Sequence, residues 1–283
     1  MLRTVRANGT TIAFTQSGEG PPLLLMHGAE ADRSMFDAFA PLLAPHFSVI
    51  AYDQRDSGGS RNPAAPYGLE DLADDAAALI AALGYARAHV FGTSLGGAIA
   101  QVLAARHPER IDRLVLSSTF RIGVPLQSIN PKGFPRFLEL RSRLPETLPE
   151  FAEYFFPRDH IAAHPEVLAI FAGNKRSEEQ RQRRAAILQR PVKVELEAIT
   201  APTLVVAGAE DRLIPPTHTL GLASDIKGAR TAMIAGTGHV GTMQNPASVA
   251  AEVRAFLQGE RQERQITEGN DHGDPRGGSR YAL

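Results

Sequence analysis

Three residues of this chain, Ser94, Asp211 and His239, have the types and settings from which an activated serine nucleophile can be built. Ser94 stands in Gly92-Thr93-Ser94-Leu95-Gly96, between the apolar run His89 to Phe91 and a stretch rich in Ala, Ile, Val and Leu. At a strand-to-helix junction a GxSxG segment bends the serine into a sharp, strained turn. Glycine is needed on both sides because a Cβ there would collide with neighbouring backbone. Gly97 gives further room at the helix start. Taken alone the pattern is weak, since glycine and serine are common turn residues, so partners must come from elsewhere in the chain.

A serine hydroxyl is a poor nucleophile until an imidazole takes its proton. The imidazole works best when a carboxylate fixes its tautomer and stabilises the imidazolium. Past the apolar run Leu204 to Ala207 comes Gly208-Ala209-Glu210-Asp211-Arg212-Leu213-Ile214-Pro215, and past Thr231 to Ile234 comes Gly236-Thr237-Gly238-His239. Both segments are loops just beyond strand ends, where α/β sheets place their sites. The order Ser94, Asp211, His239 is the one expected for a nucleophile elbow of this kind. Asp211 could instead be a turn or capping carboxylate before Pro215 and Pro216, and Glu210 competes with it for the acid's role. No carboxylate follows Leu114 to Leu116, where Ser117, Ser118 and Thr119 stand.

Acyl transfer also builds negative charge on the carbonyl oxygen, and each preorganised amide donor there is worth roughly 3 to 4 kcal/mol. Leu95, one residue past the nucleophile, supplies one candidate donor. The second is the Ala29 amide, in the loop His27-Gly28-Ala29 after the apolar run Leu23 to Met26. His27 itself reads as a structural hydrogen-bonding residue, with a second base as the alternative. The chain has no cysteine, which removes disulfides, thiolate metal sites and cysteine nucleophiles together. Neither a metal nor a cofactor is expected.

These residues need a scaffold that delivers them to one edge. Leu23 to Met26, Phe47 to Ala51, His89 to Phe91, Leu114 to Leu116, Leu204 to Ala207 and Thr231 to Ile234 are short, uniformly apolar runs. They suit strands of a parallel sheet covered on both faces. Ser34 to Leu43, Leu69 to Leu83, Leu95 to Arg106 and Pro246 to Leu257 show helical spacing of apolar positions. A mostly parallel, doubly wound α/β sheet follows, with its core in residues 1–120 and 199–258.

The rhythm breaks over residues 121–198, where Pro131, Pro135, Pro145, Pro149, Pro157, Pro165 and Pro191 punctuate short helical pieces and no strand pattern appears. We read an inserted helical cap. It carries seven of the eighteen Phe and Tyr residues: Phe134, Phe137, Phe151, Tyr154, Phe155, Phe156 and Phe171. Each is a candidate for the cap's own core; together, with Phe134, Phe137, Phe155 and Phe156 foremost, they could wall an apolar substrate pocket. The basic stretch Lys175 to Arg190 carries six Lys and Arg residues against Glu178 and Glu179, and reads as a solvated helix face. Residues 259–283 are rich in glycine and charge and read as a disordered tail.

With 30 basic and 31 acidic residues in 283, no global field favours nucleic acid or an anionic membrane. No apolar run approaches the roughly 20 residues of a membrane span, and the first twenty residues lack a signal-peptide core. A cytoplasmic address and a small-molecule partner are expected. The motifs set neither the exact substrate nor the assembly state.

On His27-Gly28, the GTSLG elbow, Asp211 in GAEDRLIP and His239 in GTGH, the chain resembles the α/β-hydrolase superfamily over residues 1 to about 258. The segment Asp53-Gln54-Arg55-Asp56-Ser57-Gly58-Gly59-Ser60 is similar to the superfamily's DxRGxGxS turn, with Asp56 where glycine is usual. That departure resembles a subgroup of polyketide methyl esterases; the other motifs look similar to those of enol-lactonases and cofactor-free haloperoxidases. The resemblance implies attack by serine on a carbonyl, in an ester, a lactone, a thioester or the ketone of a C–C hydrolase substrate. A ligand receptor or binding module on a hydrolase fold, with negligible turnover, is the alternative from a different class; the intact Ser94, Asp211 and His239 argue against it. Aspartate-dependent opening of alkyl carbons is disfavoured because the elbow holds serine.

Overall fold

The computed structural model describes residues 1–172, 176–190 and 192–259. Its strands are β1 (Arg3–Ala7), β2 (Thr10–Ser17), β3 (Pro22–Met26), β4 (Ser48–Tyr52), β5 (Ala88–Thr93), β6 (Ile111–Ser117), β7 (Thr203–Gly208) and β8 (Arg230–Ile234). They form one sheet in the order β1-β2-β4-β3-β5-β6-β7-β8. From β4 to β8 all neighbours are parallel, while β1 and β2 pair antiparallel with each other and β2 antiparallel with β4.

The six apolar runs are all strands. The β1–β2 hairpin is an addition that their pattern did not predict. β1 is mostly exposed and polar, and in β2 the buried apolar run is only Ile12 to Phe14, flanked by Thr, Gln and Ser. The turn between them carries the signal: Asn8 and Gly9 take φ of 47° and 70°, the left-handed pair that a tight hairpin turn requires.

The longer helices are α1 (Leu69–Ala82), α2 (Leu95–Arg106), α3 (Gly133–Ser142), α4 (Glu178–Ala186), α5 (Pro216–Asp225) and α6 (Pro246–Leu257). The helix expected over Ser34 to Leu43 is instead two single turns, Arg33–Phe36 and Ala40–Leu43. Pro41 lacks the N–H that a continuous helix would need there, and the Asp32 side chain accepts from Ser34 N, starting a separate turn. Helix α5 also went unforeseen from the sequence pattern.

Both sheet faces are buried, and the strand period of two assigns the residues. Leu24, Met26, Ile50, Val90, Leu114, Leu116 and Val205 face a core shared with α1 and α2. Leu23, Leu25, Val49, Phe91, Val115, Leu204 and Val206 face Phe36, Phe39 and, from α6, Val249, Val253 and Phe256. Such a sheet is a rigid frame, and the loops at the C-terminal ends of its parallel strands inherit that rigidity.

Between β6 and β7 the described residues form only helices and turns. Residues 260–283, nearly all of the expected tail, lie outside the described residues, as does Lys175. Among the described residues no helix is long and apolar enough to cross a membrane.

Candidate active site

Ser94 caps the junction from β5 to α2 with φ 54° and ψ −120°, a conformation that side-chain-bearing residues rarely adopt. Its backbone is held from both sides: Ser94 N–H donates to Ser117 O at 3.0 Å, and the Thr119 hydroxyl donates to Ser94 O at 2.7 Å. The glycines make the turn possible. A Cβ on Gly92 would run into the Gly96 carbonyl, one on Gly96 into the Met26 carbonyl, and one on Gly97 would sit 2.6 Å from the Thr119 side chain. Thr119, which the sequence offered only as a residue that is not an acid, is therefore part of the elbow's support.

The three sequence candidates come together at the strand ends. Ser94 Oγ lies 3.0 Å from His239 Nε2, and His239 Nδ1 lies 2.8 Å from Asp211 Oδ2. The other carboxylate oxygen, Oδ1, accepts from the N–H groups of Leu213 and Ile214, both at 2.9 Å. With both oxygens committed, Asp211 can turn only one face to the imidazole. Both side chains of this pair are buried, at 2% and 1% exposed, so little water competes for the bond. Glu210 is exposed, and its backbone N–H donates to Thr237 O at 2.8 Å; it does not meet His239. The His239 loop is fixed in turn by Gln244, which accepts from Gly238 N–H at 2.7 Å and donates to Gly236 O at 2.6 Å. Gly238 is required because a Cβ there would approach Phe155 O to 2.6 Å.

The two candidate oxyanion donors flank Ser94. Leu95 is the first residue of α2, so its N–H has no acceptor within the helix and carries the positive end of the helix dipole. Gly28 packs against Ser94: a Cβ on it would lie 3.5 Å from Ser94 Cβ and 4.0 Å from Oγ. The Ala29 amide follows directly on this close approach.

His27 is fully buried and lies in hydrogen-bonding contact on both ring nitrogens. Nε2 accepts from Gln54 N–H at 3.2 Å, which leaves the proton on Nδ1, and Nδ1 donates to Gly28 O at 2.8 Å. It is thus a structural residue, with no free nitrogen for base catalysis. Burial first, and the nearby Arg184 charge second, push its imidazole from 6.5 down to about 3. In the unfolded chain the ring takes a proton near its ordinary value, whereas the folded protein refuses it until about 3. His27 therefore contributes no acid sensitivity above about 6.5, and stability is lost as pH falls from there toward 3, by on the order of a few kcal/mol. Urea unfolding of the wild type and His27→Asn at pH 7.5 and 5 checks this. The wild type is expected to lose more stability than the variant across that interval, and equal losses would refute it.

The aromatic residues of the helical segment form one connected cluster. Phe137 stacks on Phe134 and Phe151, with centroids 5.9 and 5.1 Å apart, and Phe155 lies 5.9 Å from Phe137 and 4.9 Å from Phe171. Phe155 also presents an edge contact to His239 at 5.8 Å. Phe156 is 1% exposed, stacked on His160, and belongs to the core. The cluster is thus mainly packing, with Phe155 as the member that reaches His239.

The basic helix is not a solvated face, contrary to its sequence reading. Only part of α4 faces water; Arg183 forms a bidentate pair with Asp56 at 2.8 and 2.9 Å, and Arg184 is buried. Arg176 donates to Asp56 O and Ala31 O, both at 2.7 Å. Asp56 has φ 54°, the left-handed geometry that explains why glycine is usual at this turn position. Its counter-charge sits 127 residues away, beyond the reach of any local pattern. Among the described residues no group of three or more His, Asp or Glu could hold a metal ion.

The sequence profile of the alpha/beta hydrolase fold matches residues 21–246. The chain is 33% identical over 270 residues, 93% of its own length and 94% of the relative's, to a poly(3-hydroxyalkanoate) depolymerase of Ectopseudomonas oleovorans. It is 31% identical to the 2-hydroxymuconate semialdehyde hydrolase of Pseudomonas sp. (strain CF600), over 90% of this chain and 93% of that one. The crystal structure of the enol-lactonase from Burkholderia xenovorans LB400 superposes with a TM-score of 0.77 at 30% identity, covering 90% of this chain and all of that one. By its sheet order, its serine elbow and these similarities, the chain belongs to the α/β-hydrolase family.

Proposed function

We propose that the protein is a serine hydrolase that cleaves a carboxylic ester or lactone through an acyl-enzyme on Ser94. The observation that carries this reading is the continuous line Ser94 Oγ, His239, Asp211, with contacts of 3.0 and 2.8 Å. Ser94 Oγ attacks the carbonyl carbon while His239 Nε2 takes its proton. Asp211 holds the Nδ1–H tautomer and stabilises the imidazolium. The amides of Leu95 and Ala29 receive the oxyanion. His239 then protonates the leaving oxygen, and in the second half it deprotonates the water that releases the acid. The aromatic cluster ending in Phe155 against His239 supports a substrate with an apolar body. The depolymerase and enol-lactonase relatives support ester and lactone bonds.

A second reading, cleavage of a C–C bond next to a ketone, is favoured by the similarity to a semialdehyde hydrolase. A receptor that binds without turnover fits less well, because nucleophile, base and acid are all in bonding contact. A panel of aryl esters, alkyl esters, lactones and ring-cleavage diketones, run with the wild type and Ser94→Ala, separates the readings. Ester or lactone turnover that needs Ser94 is the expected result. Turnover of the diketones alone would favour the second reading, and binding without product would favour the receptor.

A further inference from the structure

Arg184 is an expensive residue to bury. It is 9% exposed, and its hydrogen bonds run from Nε to Ala29 O at 3.2 Å, from Nη1 to Arg55 O at 2.9 Å and from Nη2 to Gln54 Oε1 at 3.1 Å. All three acceptors are neutral; burial lowers the guanidinium's pKa, outweighing the Tyr67 side chain and the Glu30 charge, which favour the charged form. Burying a charge against neutral acceptors costs more than burying an apolar side chain of similar size, so what the guanidinium supplies is geometry: one planar fork spanning two segments of the core.

Those two segments bear on one residue. Ala29 is flanked by two peptide planes. The preceding plane carries Gly28 O and the Ala29 N–H on opposite edges, and His27 Nδ1–H holds its carbonyl at 2.8 Å. The following plane begins with Ala29 O, which Arg184 holds. Arg184 touches the first plane only through intermediates: its bond to Gln54 Oε1 turns Gln54 Nε2 toward His27 O, on the peptide before Gly28, at 2.7 Å, and Gln54 N–H holds the His27 ring whose Nδ1–H meets Gly28 O. Outside this core the helix is seated by the Arg183–Asp56 pair and by the Arg176 bonds to Asp56 O, Ala31 O and Ser57 Oγ. Asp56, tolerated at positive φ where glycine would be easier, is the counter-charge for that seat.

We propose that Arg184 is a positioning residue of the oxyanion hole, fixing the peptide that follows Ala29 while His27 fixes the one before it, so that the hole is assembled only with α4 seated. The inference rests on the reading of Ala29 as an oxyanion donor. Its test compares full-length wild type, Arg184→Gln, Arg184→Lys and Arg183→Gln. The readouts are kcat and KM on a p-nitrophenyl ester and inhibition by an alkyl trifluoromethyl ketone. With that ketone Ser94 Oγ adds to the carbonyl carbon, the hydroxyl proton passes to His239, and the carbonyl oxygen becomes the oxyanion in the hole.

Arg184→Gln is expected to lower kcat about 10- to 100-fold with KM changed less than about threefold, and to weaken the ketone by a similar factor. Arg184→Lys should recover part of both, because an ammonium can reach Ala29 O without spanning all three acceptors. Arg183→Gln loosens the same helix at its outer edge and should show the same signature in smaller size, which serves where Arg184→Gln folds poorly. A kcat and ketone inhibition within about twofold of wild type, or a loss confined to KM, overturns the proposal. Wild type that takes up no fluorophosphonate overturns the hydrolase reading and this inference with it. An active wild type with an unaltered Arg184→Gln overturns this inference alone.

Discussion

Ser94→Ala is expected to lower ester turnover by about four to six orders of magnitude while leaving the fold and KM nearly unchanged. The size follows from what is removed. Without Oγ there is no acyl-enzyme, and His239, 3.0 Å from the missing oxygen, has no proton to take. What remains is the oxyanion amides and substrate binding, which act on direct attack by water. Alanine is tolerated locally because the elbow is held through backbone and neighbours: Ser94 N–H on Ser117 O, Thr119 on Ser94 O, and glycines at 92, 96 and 97. Circular dichroism and thermal melting should match the wild type, and turnover measured on the same preparation checks the loss. A fall of less than about tenfold would mean that another residue does the chemistry.

Asp211→Asn is the second large effect, expected at about four orders of magnitude in kcat. The amide keeps the shape but changes what it offers. Oδ1 already accepts two backbone N–H groups, from Leu213 and Ile214, so the oxygen of an asparagine stays there and its NH2 turns to His239 Nδ1. His239 must then accept on Nδ1 and carry its proton on Nε2, facing Ser94, which is the wrong tautomer for a base. The paired control is Glu210→Gln. Glu210 is exposed and uses only its backbone N–H in the loop, so its replacement should leave kcat within about twofold. If the two variants behaved alike, the acid would be misassigned.

The parts of this site that were legible in the sequence are those whose identity is local. GTSLG, GAED and GTGH each follow an apolar run, and the runs became β5, β7 and β8, whose C-terminal ends share one edge of a parallel sheet. The choice between Asp211 and Glu210 was not local. Neighbours on a loop point in different directions, and only the bond to His239 separates them. The β1–β2 hairpin escaped because its partly polar strands depend on the Asn8-Gly9 turn for definition, and that turn was the cue. Arg183 and Arg184 were misread as a water-facing charge run because their partners, Asp56, Gln54 and Ala29, lie 127, 130 and 155 residues away. A buried arginine and a solvated one look alike until the helix that carries it is docked. The aspartate in place of glycine at position 56 was a visible anomaly, and its positive φ and its pair with Arg183 together supply the reason for it.

The proposed chemistry places a covalent acyl intermediate on one oxygen, Ser94 Oγ. Mass spectrometry of the intact and digested protein after reaction with a fluorophosphonate, and after rapid acid quench of a p-nitrophenyl ester reaction, tests it directly. One adduct per chain is expected, located on the peptide containing Ser94, absent in Ser94→Ala and slow to form in Asp211→Asn. An adduct on a different residue, or ester turnover at wild-type rate with no adduct on Ser94, would contradict it.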